Sequence, residues 1–286
     1  MKIASIDIGT NAIKSKTFKT TPISIEFLDG KRSPFRLGSD VYNHGFLNNK
    51  VLDKLVRILK KYQKNFEKNN IKIYEIVATS AFRDTQNSED ARRYVENKIE
   101  HPIRIISGLE EAKLIKLHPK AQSKKQKVFV DVGGGSTEIY INKDDQYVIQ
   151  SFQLGAVRGM HGQNNPDEWT RLKKWLKKQS KIEEMIGLGG NIRSFFKIYE
   201  VGKMTTKDFI QNTFELEKLT INEKMKNHHL AIDKADVIDD ALKIYLEILK
   251  ILEVKNIKST KWGVSDSIAV KIYHELYSKK ISITRN

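Results

Sequence analysis

Apolar residues along this chain follow two patterns, short β-branched runs and stripes at helical spacing, and the two patterns alternate. The clearest stripe runs over 49–68, where apolar residues on one face oppose lysines, and it predicts an amphipathic helix. Ser88-Glu89-Asp90 is typical of a capped helix start. For the first part of the chain we predict strands near 2–6, 13–18, 23–27, 71–78 and 103–106, with helices over 49–68, from 88, and over 107–117.

The second part of the chain repeats this alternation. We predict strands over 127–132, 137–142 and 147–154, and helices near 167–180, 205–217 and 234–252. At 286 residues the chain exceeds the usual span of one compact core. The lysine-rich segment 118–127 is the best linker, so we predict an N-terminal lobe over 1–120 and a C-terminal lobe over 121–286, with the last helix able to pack back on the first lobe.

One motif occurs twice, each time after an apolar run. Asp7-Ile8-Gly9-Thr10-Asn11 and Asp131-Val132-Gly133-Gly134-Gly135-Ser136-Thr137-Glu138 both place an aspartate at a strand end, glycine in the turn and a hydroxyl residue after it. Glycine tolerates positive φ and lets backbone N–H groups approach an anion closely. The repeat therefore predicts a duplicated phosphate-binding scaffold with two facing loops. An ordinary glycine-rich turn is the alternative for either loop alone.

Composition and charge narrow the classes of partner. The chain has no cysteine, which excludes disulfides, thiolate zinc sites and cysteine nucleophiles. Its formal charge of +16 favours anionic partners, although its lysine clusters are also typical of solvated helix faces. No apolar run approaches the ~18 residues of a membrane span, and we expect no signal peptide, because the sequence opens on a predicted strand. We therefore expect a soluble cytoplasmic protein without a membrane partner. Among anionic partners, we do not expect nucleic acid.

Four motifs together resemble the Ppx/GppA family, the exopolyphosphatases and guanosine pentaphosphate phosphatases. They are the two glycine loops, Ala78-Thr79-Ser80-Ala81-Phe82-Arg83-Asp84 and Ile106-Ser107-Gly108-Leu109-Glu110-Glu111-Ala112. Further matches follow in family order: Arg36-Leu37-Gly38, Leu154-Gly155-Ala156-Val157-Arg158, Gly187-Leu188-Gly189-Gly190 and Lys234-Ala235-Asp236-Val237-Ile238. The resemblance implies an α/β fold with two ribonuclease H-like lobes of the actin, Hsp70 and sugar-kinase superfold, and an active-site cleft between them. The chain resembles the short, two-domain form, without the helical C-terminal domain of larger relatives.

The resemblance also implies an activity. We expect hydrolysis of terminal phosphoanhydride bonds, with inorganic polyphosphate or guanosine penta- or tetraphosphate as the bound partner and Mg²⁺ or Mn²⁺ as cofactor. Such hydrolysis needs a positioned water, a group that removes its proton, and charges that neutralise the transferred phosphoryl group. The resemblance is compatible with a homodimer.

Carboxylates in the motifs take catalytic roles by this resemblance. Glu111 is the expected general base, with the adjacent Glu110 as the alternative. Without the family context, both would be read as acidic residues that complement the helix dipole. Asp131 and Glu138 are the expected metal ligands and water-orienting groups, and Asp7 is a weaker metal candidate.

Phosphate-binding groups follow from the same motifs. Arg83 is the expected clamp, because its planar fork can engage two phosphate oxygens at once. An ion pair with Asp84 or Glu89 is the alternative for this side chain. Further phosphate contacts are expected from Gly9, Thr10, Asn11, Lys14, Gly133, Gly134, Gly135 and Ser136.

Three positions depart from the family pattern. Ala12, Asn191 and Ser265 stand where the family usually places a hydroxyl residue, a threonine and an arginine. The missing groups predict a weaker hold on distal phosphates, and therefore weak processivity and a preference for short polyphosphates. Two other functions stay open: an ATP-dependent small-molecule kinase of the same superfold, with the 187–190 glycines beneath an adenosine, and a non-catalytic polyphosphate- or alarmone-binding regulator.

Overall fold

The computed structural model describes residues 1–122, 126–143 and 146–283, and its contacts divide the chain into two units. Unit 1 comprises Met1–Ser107 and the residues from Val264 onward, and unit 2 comprises Gly108–Gly263. The boundary expected at residue 120 therefore differs from the observed one, because the helix that begins at Gly108 packs on strands of unit 2. In the expected linker 118–127, residues 123–125 lie outside the described residues.

Unit 1 is built on a five-stranded sheet with helices around it. Its strands are β1 Lys2–Ile8, β2 Ala12–Thr21, β3 Ser24–Pro34, β4 Ile73–Ala78 and β5 Ile103–Ile105. Its helices are α1 Leu37–His44, α2 Asn49–Lys68, α3 Ser80–Asp84, α4 Ser88–Ile99 and the last helix, Val264–Ile283. The last helix packs on β1, β2 and β4.

Helix α2 has the bounds that its apolar stripe predicts. The side chain of Asn48 accepts a hydrogen bond from the Val51 N–H at 3.1 Å and so caps the first turn. Leu55, Leu59 and Phe66 are buried on its inner face and join the core of unit 1. The helix therefore follows from local signals alone.

Helix α4 begins where predicted but without the predicted cap. Its N-cap residue is Asn87, whose side chain makes no capping hydrogen bond. The Asn87 amide instead accepts from the Leu47 N–H at 3.0 Å and donates to the Leu47 carbonyl at 2.9 Å. The expectation of capping chemistry from Ser88-Glu89-Asp90 was wrong: Ser88 is the first residue inside the helix, and a tertiary contact holds the side chain of Asn87 at the N-cap.

Unit 2 contains a six-stranded sheet. Its strands are β6 Lys127–Val132, β7 Thr137–Lys143, β8 Gln146–Phe152, β9 Glu184–Leu188, β10 Lys203–Thr205 and β11 Asn256–Ser259. Its α-helices are α5 Gly108–Leu114, α6 Ala156–Met160, α7 Pro166–Leu176, α8 Gly190–Ile198, α9 Thr206–Glu217, α10 Ile221–His228, α11 Ile232–Ala235 and α12 Ile238–Ile251. Two 3₁₀ turns, Ile115–Leu117 and Pro119–Gln122, follow α5. The single helix predicted over 234–252 is thus two helices.

The two sheets share one topology. In unit 1 the strand order is β3-β2-β1-β4-β5, and in unit 2 the order β8-β7-β6-β9-β11 matches it, with β10 added at the edge. In each sheet the first three strands pair antiparallel in chain order; the next strand pairs parallel with the first, and the strand beyond it in the sheet pairs parallel with that one. The predicted fold of two ribonuclease H-like units is confirmed. Among the described helices, none is long and apolar enough to cross a membrane.

Candidate active site

A row of polar side chains crosses three neighbouring strands of unit 2. Asp131 on β6 lies directly opposite Glu138 on β7, which in turn lies opposite Ser151 on β8. Directly opposed residues of antiparallel strands point to the same face of the sheet. Glu138 is buried, and its Oε1 accepts a hydrogen bond from the Ser151 hydroxyl at 2.9 Å. The strand register therefore brings the two predicted metal ligands side by side.

Helix α5, which carries a further carboxylate, packs against the strands of this row. The helix packs on β7 and β8, and a Cβ at Gly108 would lie 2.1 Å from the Ser151 Oγ and 3.8 Å from the Glu138 Oε1. Residues three apart on a helix share a face, so Glu111 lies on the same side of α5 as Gly108. Glu111 is buried and Glu110 is exposed. Burial therefore distinguishes the two adjacent carboxylates, and Glu111 is the one turned inward.

The glycine loop of unit 2 turns its carbonyls to one side. The Ala156 N–H donates to the Gly133 carbonyl at 3.0 Å, and the Val157 N–H donates to the Gly134 carbonyl at 2.7 Å. In addition, Arg158 Nε donates to the Gly135 carbonyl at 2.8 Å. Across a planar trans peptide, each carbonyl and the following N–H point in opposite directions.

The N–H groups of this loop consequently face away from α6. These N–H groups, at Gly134, Gly135 and Ser136, donate to no acceptor among the described residues. Successive N–H groups turned to one side form the concave backbone site that suits phosphate oxygens. The loop therefore turns three N–H groups, those of residues 134–136, to one side, and a phosphate role for residues 133–136 stays a prediction.

Behind the loop, Gly189 closes on Asp131. Gly189 has φ +86°, and a Cβ there would lie 2.4 Å from the Asp131 Oδ1. Asn191, the departure from threonine, is buried, and its Nδ2 donates to the Val132 carbonyl at 3.4 Å. Its Oδ1 accepts from Lys234 Nζ at 3.2 Å, and this ammonium would lie 2.7 Å from a Cβ at Gly190. The Lys234 ammonium therefore lies beside Gly190.

Tyr245 of α12 supports the strands that carry the site. Its hydroxyl lies within hydrogen-bond distance of two carbonyls, Val130 on β6 at 3.2 Å and Leu188 on β9 at 3.1 Å. Complete burial raises the pKa of Tyr245 well above its usual value, and the Asp131 carboxylate raises it further. Tyr245 is therefore a neutral donor that ties together two adjacent strands.

The first glycine loop, in unit 1, has the same backbone geometry. The Gly9 N–H donates to the Ala12 carbonyl at 3.2 Å, as the Gly133 N–H donates to the Ser136 carbonyl at 2.9 Å. The side chains of the unit 1 loop are already engaged: the Thr10 hydroxyl contacts the Ser80 hydroxyl at 2.7 Å. The duplicated hairpin inferred from the sequence is therefore present in both units.

The remaining predicted residues of unit 1 make contacts within that unit. Asp7 lies opposite Lys14, and their side chains form an ion pair at 3.2 Å. Asn11 accepts a hydrogen bond from Arg36 Nε at 3.0 Å. A metal role for Asp7 and phosphate roles for Lys14 and Asn11 stay predictions.

Arg83 has the partner foreseen as the alternative. Its Nε lies 3.4 Å from the Asp84 carboxylate, and its NH1 donates to the Ile106 carbonyl at 2.7 Å. The side chain of Arg83 is still partly exposed, with 22% of its surface accessible. Its role as a phosphate clamp stays a prediction.

The row in unit 2 has the donor chemistry for the expected Mg²⁺ or Mn²⁺. Hard cations take oxygen ligands, and Mg²⁺ is usually bound through one or two carboxylates plus water and substrate phosphates. Asp131 and Glu138 supply two such carboxylates in adjacent positions. Within the described ranges, no three or more His, Cys, Asp or Glu residues gather closely enough to hold a metal ion.

Three supporting residues were not assigned to the site from the sequence. Ser151 donates to Glu138, Gly155 packs on the glycine loop, and Asn164 holds Gly155. Gly155 lies in a motif that was recognised, but Ser151 and Asn164 lack a local pattern, because their contacts depend on strand pairing and loop packing.

Comparisons with known proteins identify the family of the chain. The Ppx/GppA phosphatase family matches residues 13–186 of the chain. A Haemophilus influenzae protein named "Putative exopolyphosphatase" is 28% identical over 160 residues, which are 54% of this chain and 49% of that protein. The chain therefore spans about half the length of that curated relative.

Solved structures establish the fold. The crystal structure of the Aquifex aeolicus member of the Ppx/GppA protein family has a TM-score of 0.77 at 21% identity and covers 98% of both chains. An exopolyphosphatase from Cytophaga hutchinsonii has a TM-score of 0.83 at 18% identity, covering 96% of this chain and 98% of that chain. Nearly the whole chain is therefore matched at the level of fold.

Proposed function

Because the chain belongs to the Ppx/GppA phosphatase family, we propose that it hydrolyses terminal phosphoanhydride bonds of inorganic polyphosphate, of guanosine pentaphosphate, or of both. One observation carries the proposal: the buried Glu111, the opposed pair Asp131 and Glu138, and the outward N–H groups of the glycine loop all belong to unit 2. This set provides a proton acceptor, oxygen ligands and an anion-binding backbone, which are the requirements of phosphoryl transfer to water.

Each group has a distinct task in the proposed reaction. The Glu111 carboxylate accepts the proton of the attacking water. The N–H groups at 134–136 hold oxygens of the transferred phosphoryl group and stabilise its negative charge. Asp131 and Glu138 would hold Mg²⁺, which when bound neutralises phosphate charge and orients the substrate. The Ser151 hydroxyl fixes the orientation of the Glu138 carboxylate.

A phosphate-release assay tests the proposal. Purified protein is given tripolyphosphate, long polyphosphate, guanosine pentaphosphate and ATP, each with Mg²⁺ and with excess chelator. We expect release from at least one of the first three, and loss of release with the chelator. Glu111→Gln protein, purified identically, controls for contaminating phosphatases. Release that is equal in wild type and Glu111→Gln would refute the proposal.

Lys234 makes the kinase alternative less favourable. An adenosine above the 189–190 glycines would meet the Lys234 ammonium, which lies 2.7 Å from the Cβ position of Gly190. Such a cation suits phosphate oxygens better than an apolar base face. Consumption of ATP only when a sugar or acid is added would favour the kinase. Tight polyphosphate binding without release would favour a regulator.

The preference for short chains belongs to the same proposal. Gel analysis of long polyphosphate during digestion distinguishes the modes: gradual shortening of the whole population supports frequent release. Full-length chains that coexist with free phosphate, without intermediates, would show processive action. The digestion is run at physiological salt, where attraction from the basic surface is screened beyond ~8 Å.

A further inference from the structure

Asn164 holds the backbone of a single residue with both ends of its amide. Its Oδ1 accepts from the Gly155 N–H at 3.0 Å, and its Nδ2 donates to the Gly155 carbonyl at 3.2 Å. A side chain that satisfies both backbone groups of one residue replaces the pairing that a neighbouring strand would provide. Gly155 is therefore fixed in position by Asn164.

Gly155 in turn lies directly against the glycine loop. A Cβ at Gly155 would lie 2.5 Å from the Gly135 carbonyl carbon and 2.6 Å from that of Gly134. Gly155 also begins α6, whose first N–H groups bind the loop carbonyls. A shift of Gly155 would therefore move the backbone against which the glycine loop packs. It would also move the first N–H groups of α6, which bind the loop carbonyls and so orient the loop peptides.

The structure leaves Asn164 just enough room. A Cβ at Gly159 would lie 2.7 Å from Asn164 Nδ2 and 2.7 Å from Asp240 Oδ1. Even one methyl group at Gly159 would therefore displace the amide. The Asn164 amide and the Asp240 carboxylate of α12 therefore both border Gly159 of α6.

We propose that Asn164 is a positioning residue for phosphate binding: it fixes Gly155, and Gly155 with α6 holds the 134–136 N–H groups toward the substrate. The inference rests on the proposed function, because it assigns those N–H groups to phosphoryl oxygens. N–H donors that are already aligned in the free protein need no reorganisation when negative charge develops on the transferred phosphoryl group. Asn164 itself does not contact the substrate.

Three variants test the role of Asn164. Asn164→Ala removes the amide, Gly159→Ala displaces it, and the double variant does both. We expect each single change to raise KM for tripolyphosphate and to lower kcat, with a combined loss of up to ~10²-fold, the scale of a misplaced binding group. The double variant should lose no more than the worse single variant, since both changes disable one contact.

Asn165→Ala is the matched control. Asn165 is the neighbouring asparagine and caps α7 by accepting from the Asp167 N–H at 2.8 Å, and among the described residues it makes no hydrogen bond to Gly155. We expect this variant to lower the melting temperature and leave KM unchanged. If Asn165→Ala raises KM as much as Asn164→Ala, or if Asn164→Ala leaves KM and kcat unchanged, the positioning role is refuted.

Amide NMR distinguishes this inference from the proposed function. Imidodiphosphate, a non-hydrolysable phosphate chain, is titrated into wild type and Asn164→Ala. We expect the Gly134 and Gly135 amide resonances to shift in wild type, and the same shifts to need at least tenfold more ligand in the variant. A wild type that binds imidodiphosphate but releases no phosphate from tripolyphosphate, long polyphosphate or guanosine pentaphosphate would refute the hydrolase proposal alone. Equal affinities in both proteins would refute the role of Asn164 alone.

Discussion

Several positions in unit 2 require glycine because the methyl group of an alanine would clash with a neighbouring group. Gly108 approaches the Ser151 hydroxyl, Gly155 the loop backbone, and Gly189 the Asp131 carboxylate. At each of these three glycines, the main chain lies so close to its neighbour that a Cβ atom would clash with it. The glycines therefore set the distances between the catalytic elements, in addition to forming turns.

At the residue scale, Glu111→Gln should lower kcat by roughly 10²- to 10⁴-fold and leave KM nearly unchanged, because an amide keeps the shape but cannot accept the proton of water. Steady-state kinetics with tripolyphosphate measure the change. Glu110→Gln, at the exposed neighbour, should retain activity. The opposite result would assign the base to Glu110.

A second residue-scale prediction compares two left-handed glycines. Gly189 and Gly162 both have positive φ, +86° and +67°, but a Cβ at Gly162 would meet nothing within 4 Å. Alanine at either position costs roughly 1–3 kcal/mol in backbone strain. Gly189→Ala should in addition displace Asp131 and lower kcat/KM by about tenfold or more, whereas Gly162→Ala should not. Unfolding curves and kinetics on both variants measure the two effects, and equal activities would contradict the role of Gly189.

At the scale of elements, the hairpin that carries each glycine loop is the repeated unit. Ile8 pairs with Ile13 in one sheet and Val132 with Thr137 in the other, so four residues form each turn. The central strand beneath each turn pairs parallel on its other side, with β4 or β9. Anything that loosens the β6–β9 pair should therefore weaken unit 2.

Tyr245 tests this link between strands. Tyr245→Phe should lower the free energy of unfolding by about 1 kcal/mol, the value of one buried hydrogen bond. Urea denaturation measures the loss. The control is Tyr140→Phe on β7, because the Tyr140 side chain is buried and its hydroxyl has no hydrogen bond among the described residues. A larger loss in Tyr140→Phe than in Tyr245→Phe would contradict the bracing role.

At the scale of the whole molecule, the chain builds one topology twice and returns its last helix to the first sheet. Unit 2 also contains a buried histidine. His118 contacts the rings of Phe129 and Trp262 at centroid distances of 5.4 Å and 5.2 Å, and accepts a hydrogen bond from the Lys120 N–H at 3.0 Å. Burial, with a smaller effect of the nearby Lys120 and Lys127, lowers the pKa of His118 from 6.5 to about 4.

The depressed pKa makes the stability of the protein depend on pH. As pH falls through 6.5, the unfolded chain takes up a proton at His118 that the folded chain does not take up until about pH 4. Folding should therefore lose about 3 kcal/mol over this window. His118→Gln should show a smaller fall in unfolding free energy from pH 7 to pH 4 than wild type. The exposed His44→Gln is the control, and identical pH profiles for wild type and His118→Gln would contradict the prediction.

Several features were predictable because they depend on neighbours in sequence. The α2 stripe and its Asn48 cap lie within a few residues of one another, and both glycine loops follow apolar runs that form strands as expected. The broken helix near 236 and the missing cap at α4 were not predictable in this way. The side chain of Asn87, the N-cap residue of α4, is hydrogen-bonded to the backbone of Leu47, which is distant in sequence, and therefore does not cap the helix.

The sequence by itself determined the alternation of strands and helices, the paired aspartate–glycine turns and the membership of a family, since each depends on residue types at short or ordered spacings. Tertiary structure alone decided that Glu111 is buried and Glu110 exposed, that Asp7 is paired with Lys14, and that Asn164 reaches Gly155. Those outcomes depend on strand register and on helix docking. Both depend on packing between segments far apart in the chain, which cannot be read from the residues next to each position in the sequence.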